Sequence, residues 1–231
     1  RKHDYSKVRK VCEILDKDDM NYNIDLMYGL PKQSKKTIED DMRIIRKLMP
    51  QNITFQKLHS PPHKSKGKVT KTTEEMNILG RKLLAQMGYM QVTEEEYSIG
   101  KKSLYMQNQL SGIDSLGIGL SAYSFVDNTY YRNTFDFDKY LHYVNSKMLA
   151  IKENKILNKI EIMKRYATFH IKLLKIDLYD FNMRFEKNFE ELFSKELDYL
   201  IRNNLIKKHN NNIIPTDYGK NYVDFISWIF T

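Results

Sequence analysis

One carboxylate stands where chemistry is possible. Asp25 lies in Asn-Ile-Asp-Leu-Met-Tyr-Gly-Leu-Pro-Lys-Gln-Ser, residues 23 to 34. The stretch reads as a short buried strand, a Gly-Pro turn and the approach to a helix. An acid within an otherwise apolar strand, near its C-terminal end, sits where α/β sheets and barrels bind ligands. It can accept hydrogen bonds from hydroxyls such as those of a ribose. It can equally cap a neighbouring turn or pair with an arginine. Two histidines, His59 and His63, flank a pair of prolines. With no carboxylate or third ligand beside them, no metal is assigned. Gly117 and Gly119 let the backbone approach a ligand or another strand closely, and a close-packed corner would look the same.

These residues need a scaffold. Thr37 to Leu48 has helical spacing, with Thr37 as the expected N-cap, acidic residues in the first turn and Pro50 as the stop. Asn52 to Leu58 alternates like a strand, so the order strand–helix–strand predicts a parallel arrangement. Lys64 to Lys71 is a basic loop, suited to steering a polycarboxylate or simply to being solvated. Thr72 to Met87 reads as a helix opened by a Thr72–Glu75 capping box and closed by Gly88. Asp136 to Met148 is a further helix. From about residue 152 the spacing predicts segments Ile156 to Leu174, Leu178 to Phe185 and Phe189 to Asn203, a small β-wing, and a last helix, Asp217 to Phe230, capped by Thr216.

The 231 residues suffice for one large domain or two small ones. A composition of 41% hydrophobic and 29% charged residues is ordinary for a soluble chain. No apolar run reaches the roughly 20 residues that span a bilayer. The single cysteine, Cys12, excludes an internal disulfide and a cysteine-rich metal site, and its place on an apolar helix side predicts a buried small hydrophobe. The net charge of +9 admits nucleic acid, an anionic surface or a polyanionic small molecule. Lysines spread through the chain describe solvated faces better than a binding stripe. The chain begins with Arg1 rather than Met, as a fragment would.

The stretch around Asp25 resembles a strand of the radical S-adenosylmethionine (SAM) family that contains oxygen-independent coproporphyrinogen III oxidases and related heme chaperones. Gly88-Tyr89, Leu116-Gly117-Ile118-Gly119-Leu120-Ser121-Ala122-Tyr123 and Tyr131-Arg132-Asn133 follow in the family's order. The resemblance implies an α/β fold: residues 1–151 as the C-terminal portion of a three-quarter β/α barrel, and 152–231 as a mostly helical, winged-helix-like domain. It implies that Asp25 binds the SAM ribose and Met27 lies against the adenine. Arg1, Gln56, His59 and Tyr123 match further SAM-approaching positions, although Gln56 and His59 lack the usual residue types. The segment Lys102-Ser103-Leu104-Tyr105-Met106-Gln107 carries neither the His-Asn of the chaperone branch nor the Phe-Gln of the oxidase branch.

The implied function is that of a fragment of a coproporphyrinogen III oxidase-like enzyme, which decarboxylates porphyrinogen propionates oxidatively in the cytoplasm. The alternatives are a heme chaperone or a cluster-less porphyrin-binding relative, with a winged-helix nucleic-acid binder behind them. SAM is the implied cofactor. The [4Fe-4S] cluster needs three cysteine thiolates, which Cys12 alone does not supply, so it is expected only in a complete protein. The ligand is then a porphyrinogen or heme, with no membrane span and no nucleic acid. The isolated chain is expected to be inactive, and its open barrel edge to aggregate.

Overall fold

The computed structural model describes residues 4–58, 71–100 and 104–231. It divides into two compact units, Arg1–Ser103 and Leu104–Thr231. The expected Arg1, His59 and His63, and most of the 64–71 loop, lie outside the described residues.

The first unit runs α1 (Tyr5–Lys17), β1 (Asn23–Tyr28), α2 (Lys35–Leu48), β2 (Asn52–Lys57), α3 (Lys71–Gln86), β3 (Met90–Gln91) and β4 (Glu96–Ser98). Its sheet has the order β1-β2-β4-β3. The pair β1–β2 is parallel, as strand–helix–strand requires, whereas β4 runs antiparallel to β2. Alternation along β1 turns Ile24, Leu26 and Tyr28 toward α2 and α3, where Ile38, Met42, Ile45, Met76 and Leu84 are buried. Helix α3 lies close on β2 because Gly80 has no Cβ: one there would run into the Phe55 ring.

Three expectations in this unit are corrected. The N-cap of α2 is Ser34, not Thr37: Thr37 is the third helical residue, and its hydroxyl closes a reciprocal capping box with Ser34. Thr72 lies inside α3, which begins at Lys71, so it cannot be the cap. Asp25 is the third of six residues in β1, in mid-strand, and its face of the strand is exposed rather than buried.

The second unit begins with α4 (Leu104–Leu110), followed by a meander of β5 (Tyr123–Val126), β6 (Thr129–Asn133) and β7 (Ile151–Ile156), with α5 (Phe137–Asn145) between β6 and β7. Both pairings are antiparallel. Then come α6 (Lys159–Lys172), β8 (Ile176–Asp177), α7 (Leu178–Phe185), α8 (Phe189–Leu192), α9 (Ser194–Arg202), β9 (Ile206–His209), β10 (Asn212–Pro215) and α10 (Val223–Ile229). The sheet β8-β10-β9 and its helices give the winged order of helix, strand, three helical segments, hairpin and helix. The expected boundary near residue 151 falls at the start of β7. Beyond it, one cluster from Met163 to Phe230 forms a continuous core. Edge-to-face phenylalanines hold it: Phe181 on Phe189 at 4.8 Å, and Phe193 on Phe230 at 5.4 Å.

Two helix ends also differ from expectation. Ile156 belongs to β7, and α6 starts after Asn158, whose side chain caps it in a box with Glu161. Thr216 does not cap the last helix, which begins only at Val223; its hydroxyl instead accepts from Gly219 N, the first residue of a short 3-10 turn, Gly219–Asn221.

Candidate functional site

On the open face of the first sheet, a row of polar side chains crosses three strands. Parallel register sets Asp25 opposite Thr54, and antiparallel register sets Thr54 opposite Glu96. Asn23, two residues before Asp25 and so on the same face, donates to Asp25 Oδ1 at 2.6 Å and to Thr54 Oγ1 at 2.9 Å. Asp25 Oδ2 hydrogen-bonds to no described residue. Met27 continues the same face, 37% exposed, with Gln56 as its register partner on β2. Three sequence-derived candidates, Asp25, Met27 and Gln56, thus share one surface: a hydrogen-bond acceptor held in place by Asn23, beside an apolar thioether.

The turn after β1 is locked from both sides. Gly29 adopts φ +80°, a conformation that favours glycine. Gln33 accepts from Leu30 N at 3.1 Å and donates to Met27 O at 3.0 Å. The Gln of the Gly-Leu-Pro-x-Gln stretch therefore fixes the strand end that carries Met27.

Glu96 was not a sequence candidate. Its Oε2 is buried with no hydrogen-bond partner. Burial, then the neighbouring charges of Glu95 and Asp25, push its carboxyl up to about 7. Folding thus retains a proton that the unfolded chain, near 4.5, releases, so stability falls as pH rises from about 4.5 to about 7 and stays low above it. Glu96→Gln removes the ionisation. The variant is expected to match the native chain near pH 4 and to exceed it at pH 8 by about 1–2 kcal/mol after solvent screening. Urea denaturation at the two pH values checks this; an equal gain at both would remove Glu96 ionisation as the cause.

In the second unit, Tyr123 opens β5 and is 50% exposed. Its ring lies 5.5 Å from that of Tyr130, and the Arg132 guanidinium sits 4.9 Å from its centroid. Asn133 Nδ2 donates to Gly119 O at 2.9 Å, and Gly117 N donates to Ser124 Oγ at 2.9 Å. The glycine pair lies in a loop bound to the β5–β6 hairpin, and Asn133 is its clasp. Among the described residues, no group of three or more His, Cys, Asp or Glu side chains could hold a metal ion. No helix among them is long and apolar enough to cross a membrane.

No protein-family model matches the chain. The heme chaperone HemW of Buchnera aphidicola subsp. Schizaphis graminum is 25% identical over 92% of the chain and 55% of its own length. The oxygen-independent coproporphyrinogen III oxidase of Pseudomonas aeruginosa is 23% identical over 90% of the chain and 51% of its own length. The solved structure of coproporphyrinogen III oxidase (HemN) from Escherichia coli, a radical SAM enzyme, superposes with a TM-score of 0.82 at 19% identity, covering 100% of this chain and 59% of that one. The chain is a partial-length relative of the oxygen-independent coproporphyrinogen III oxidases and HemW heme chaperones. It spans about half the length of the curated relatives it matches. Its mixed α/β architecture is that of the C-terminal part of the radical SAM fold.

Three further side chains hold these surfaces in place. Asn23 orients Asp25, Gln33 pins the turn, and Asn133 secures the glycine loop. Spacing could have found Asn23, because residues two apart on a strand share a face. Arg132 lies opposite Tyr123 in register, a pairing invisible until the hairpin closes. Cys12 is buried, 3% exposed, as its helix position predicts.

Proposed function

We propose that this chain is the SAM- and porphyrin-facing part of a coproporphyrinogen III oxidase-like protein working in the cytoplasm. The observation that carries the reading is Asp25: one carboxylate oxygen is held by Asn23 while the other faces an open sheet surface beside Met27. That pair fits a nucleoside, with hydroxyls to donate and a flat base to lie on a thioether. The residues present fit the adenosyl portion of SAM. They do not fit an iron–sulfur cluster, which takes several thiolates where this chain supplies one. In the whole protein, SAM bound at a cluster supplies the radical chemistry. The chain's own residues bind and orient: Asp25 accepts hydroxyl hydrogen bonds, and Met27 with Gln56 lines the surface next to it. Within the second unit, Tyr123 offers a half-exposed ring beneath Arg132 as a further aromatic contact.

The test is calorimetric titration with S-adenosylhomocysteine. Asp25→Ala is expected to weaken binding about tenfold or more, and Asp25→Asn by less, because the amide oxygen still accepts. Equal affinity in the native chain and Asp25→Ala would sink the assignment.

The HemW relative favours a second reading, heme holding and transfer. Titration with heme separates the two: a shifted Soret band with stoichiometric retention supports the chaperone reading. Nucleic acid is not part of the proposal.

A further inference from the structure

Within the second unit, a cavity of about 370 Å³ opens between β6, the end of β7 and α6. Tyr130, Leu157 and Phe169 supply its apolar wall, and Lys155, Lys164 and Arg165 its cations. Two of the three cations are engaged. Lys155 pairs with Glu161 at 2.6 Å, and Lys164 donates to Thr231 O at 3.1 Å. Arg165 differs. Its guanidinium carbon lies 3.9 Å from the centre of the Phe125 ring and 4.2 Å from that of Phe169. These rings hold the cation without neutralising it. On another side, a Cβ added to Gly112 would sit 3.4 Å from one of its terminal nitrogens. No described carboxylate forms an ion pair with Arg165. Partial burial, and then the charge of Arg184, disfavour its charge, and Asp114 attracts it from farther away. Arginine keeps its proton even so. A planar, fixed, charged fork beside an apolar wall is the arrangement that receives a carboxylate in bidentate fashion.

We propose that Arg165 anchors the carboxylate of an apolar ligand whose ring edge fills this cavity. Naming that ligand as a porphyrin propionate rests on the proposed function. The cavity takes one edge of such a macrocycle, with the rest left outside.

Two probes separate the two claims. Coproporphyrin III, an air-stable relative of the porphyrinogen, is titrated by fluorescence into the native chain, Arg165→Met and Arg165→Lys. Naphthalene-2-carboxylate and its neutral amide are titrated by calorimetry into the native chain, which needs no variant to fold. Arg165→Met is expected to weaken porphyrin binding about tenfold, with partial recovery in Arg165→Lys, and the naphthoate to bind about tenfold more tightly than the amide. Unchanged porphyrin affinity in a folded Arg165→Met overturns the anchor and leaves the proposed function standing. Naphthoate bound about tenfold more tightly than its amide, with no porphyrin binding, upholds the carboxylate anchor and removes the porphyrin. Equal affinity for naphthoate and amide overturns the proposal, whatever the variants do.

Discussion

Gly219→Ala is expected to unfold the winged core. A Cβ at this position would lie 1.7 Å from Leu205 O and 2.6 Å from the carbonyl carbon behind it. Both are backbone atoms, so no side chain can swing aside. The approach is built in by three hydrogen bonds that draw the chain across the start of the hairpin. Thr216 Oγ1 donates to Asn204 O at 2.6 Å, Gly219 N donates to Thr216 Oγ1 at 2.9 Å, and Thr216 N donates to Leu205 O at 3.0 Å. Leu205 and Ile206 then enter the same core as Ile226 and Phe230, so relief of the clash must separate β9 from the final helix. The loss is expected to be about 3 kcal/mol or more, a large part of the stability of a small domain. Urea denaturation followed by far-UV circular dichroism measures it. Gly88→Ala is the control: φ is +90° there and nothing lies within 4 Å of the added Cβ, so only the left-handed backbone cost of about 1–2 kcal/mol is expected. A Gly219→Ala midpoint equal to that of the native chain would show that the crossing is looser than described.

Gly117→Ala is expected to cost about 2–3 kcal/mol and to displace Tyr123. The added Cβ would lie 2.2 Å from Tyr123 O and 2.9 Å from Tyr123 N. Its neighbour Gly119 provides the contrast within the same loop. Gly119 has φ +107° and open space, so alanine there brings backbone strain without a clash. The sequence offers the two glycines as a pair, but only Gly117 makes the close approach. Thermal melts of both variants separate the cases. Near-UV circular dichroism reports on the coupled Tyr123–Tyr130 rings, and its signal is expected to fall only in Gly117→Ala. A larger loss in Gly119→Ala would reverse the assignment of which glycine the packing needs.

Local chemistry made much of this protein legible. The alternation in β1, the apolar stripe of α2 and the stop at Gly88 are all consequences of periods of 2 and 3.6 and of glycine's freedom. Helix starts are less legible in a sequence. A hydroxyl can serve either as the cap or as the third residue reaching back to it, and at Ser34 and Thr37 the geometry chose the second. The expected last helix, Asp217 to Phe230, is divided because Thr216, Gly219 and Leu205 bind the chain into a 3-10 turn first.

Periodicity along the chain specifies β1, α2, β2 and most helices of the second unit, spacing puts Asp25 and Met27 on one side of a strand, and the order of motifs leads to the family. Tertiary structure alone decided what surrounds them. Glu96 lies some 70 residues from Asp25 along the chain, yet register through Thr54 aligns them on the same sheet face, where burial pushes its pKa up to about 7. Arg165 is one of 38 lysines and arginines in the sequence, with nothing local to distinguish it. It becomes distinct only when a ring from β5 and a ring one helical turn away close on it without bringing a carboxylate. Periodicity reports which face a residue occupies. Charge, burial and partnership depend on segments far apart in the chain, and only packing brings those together.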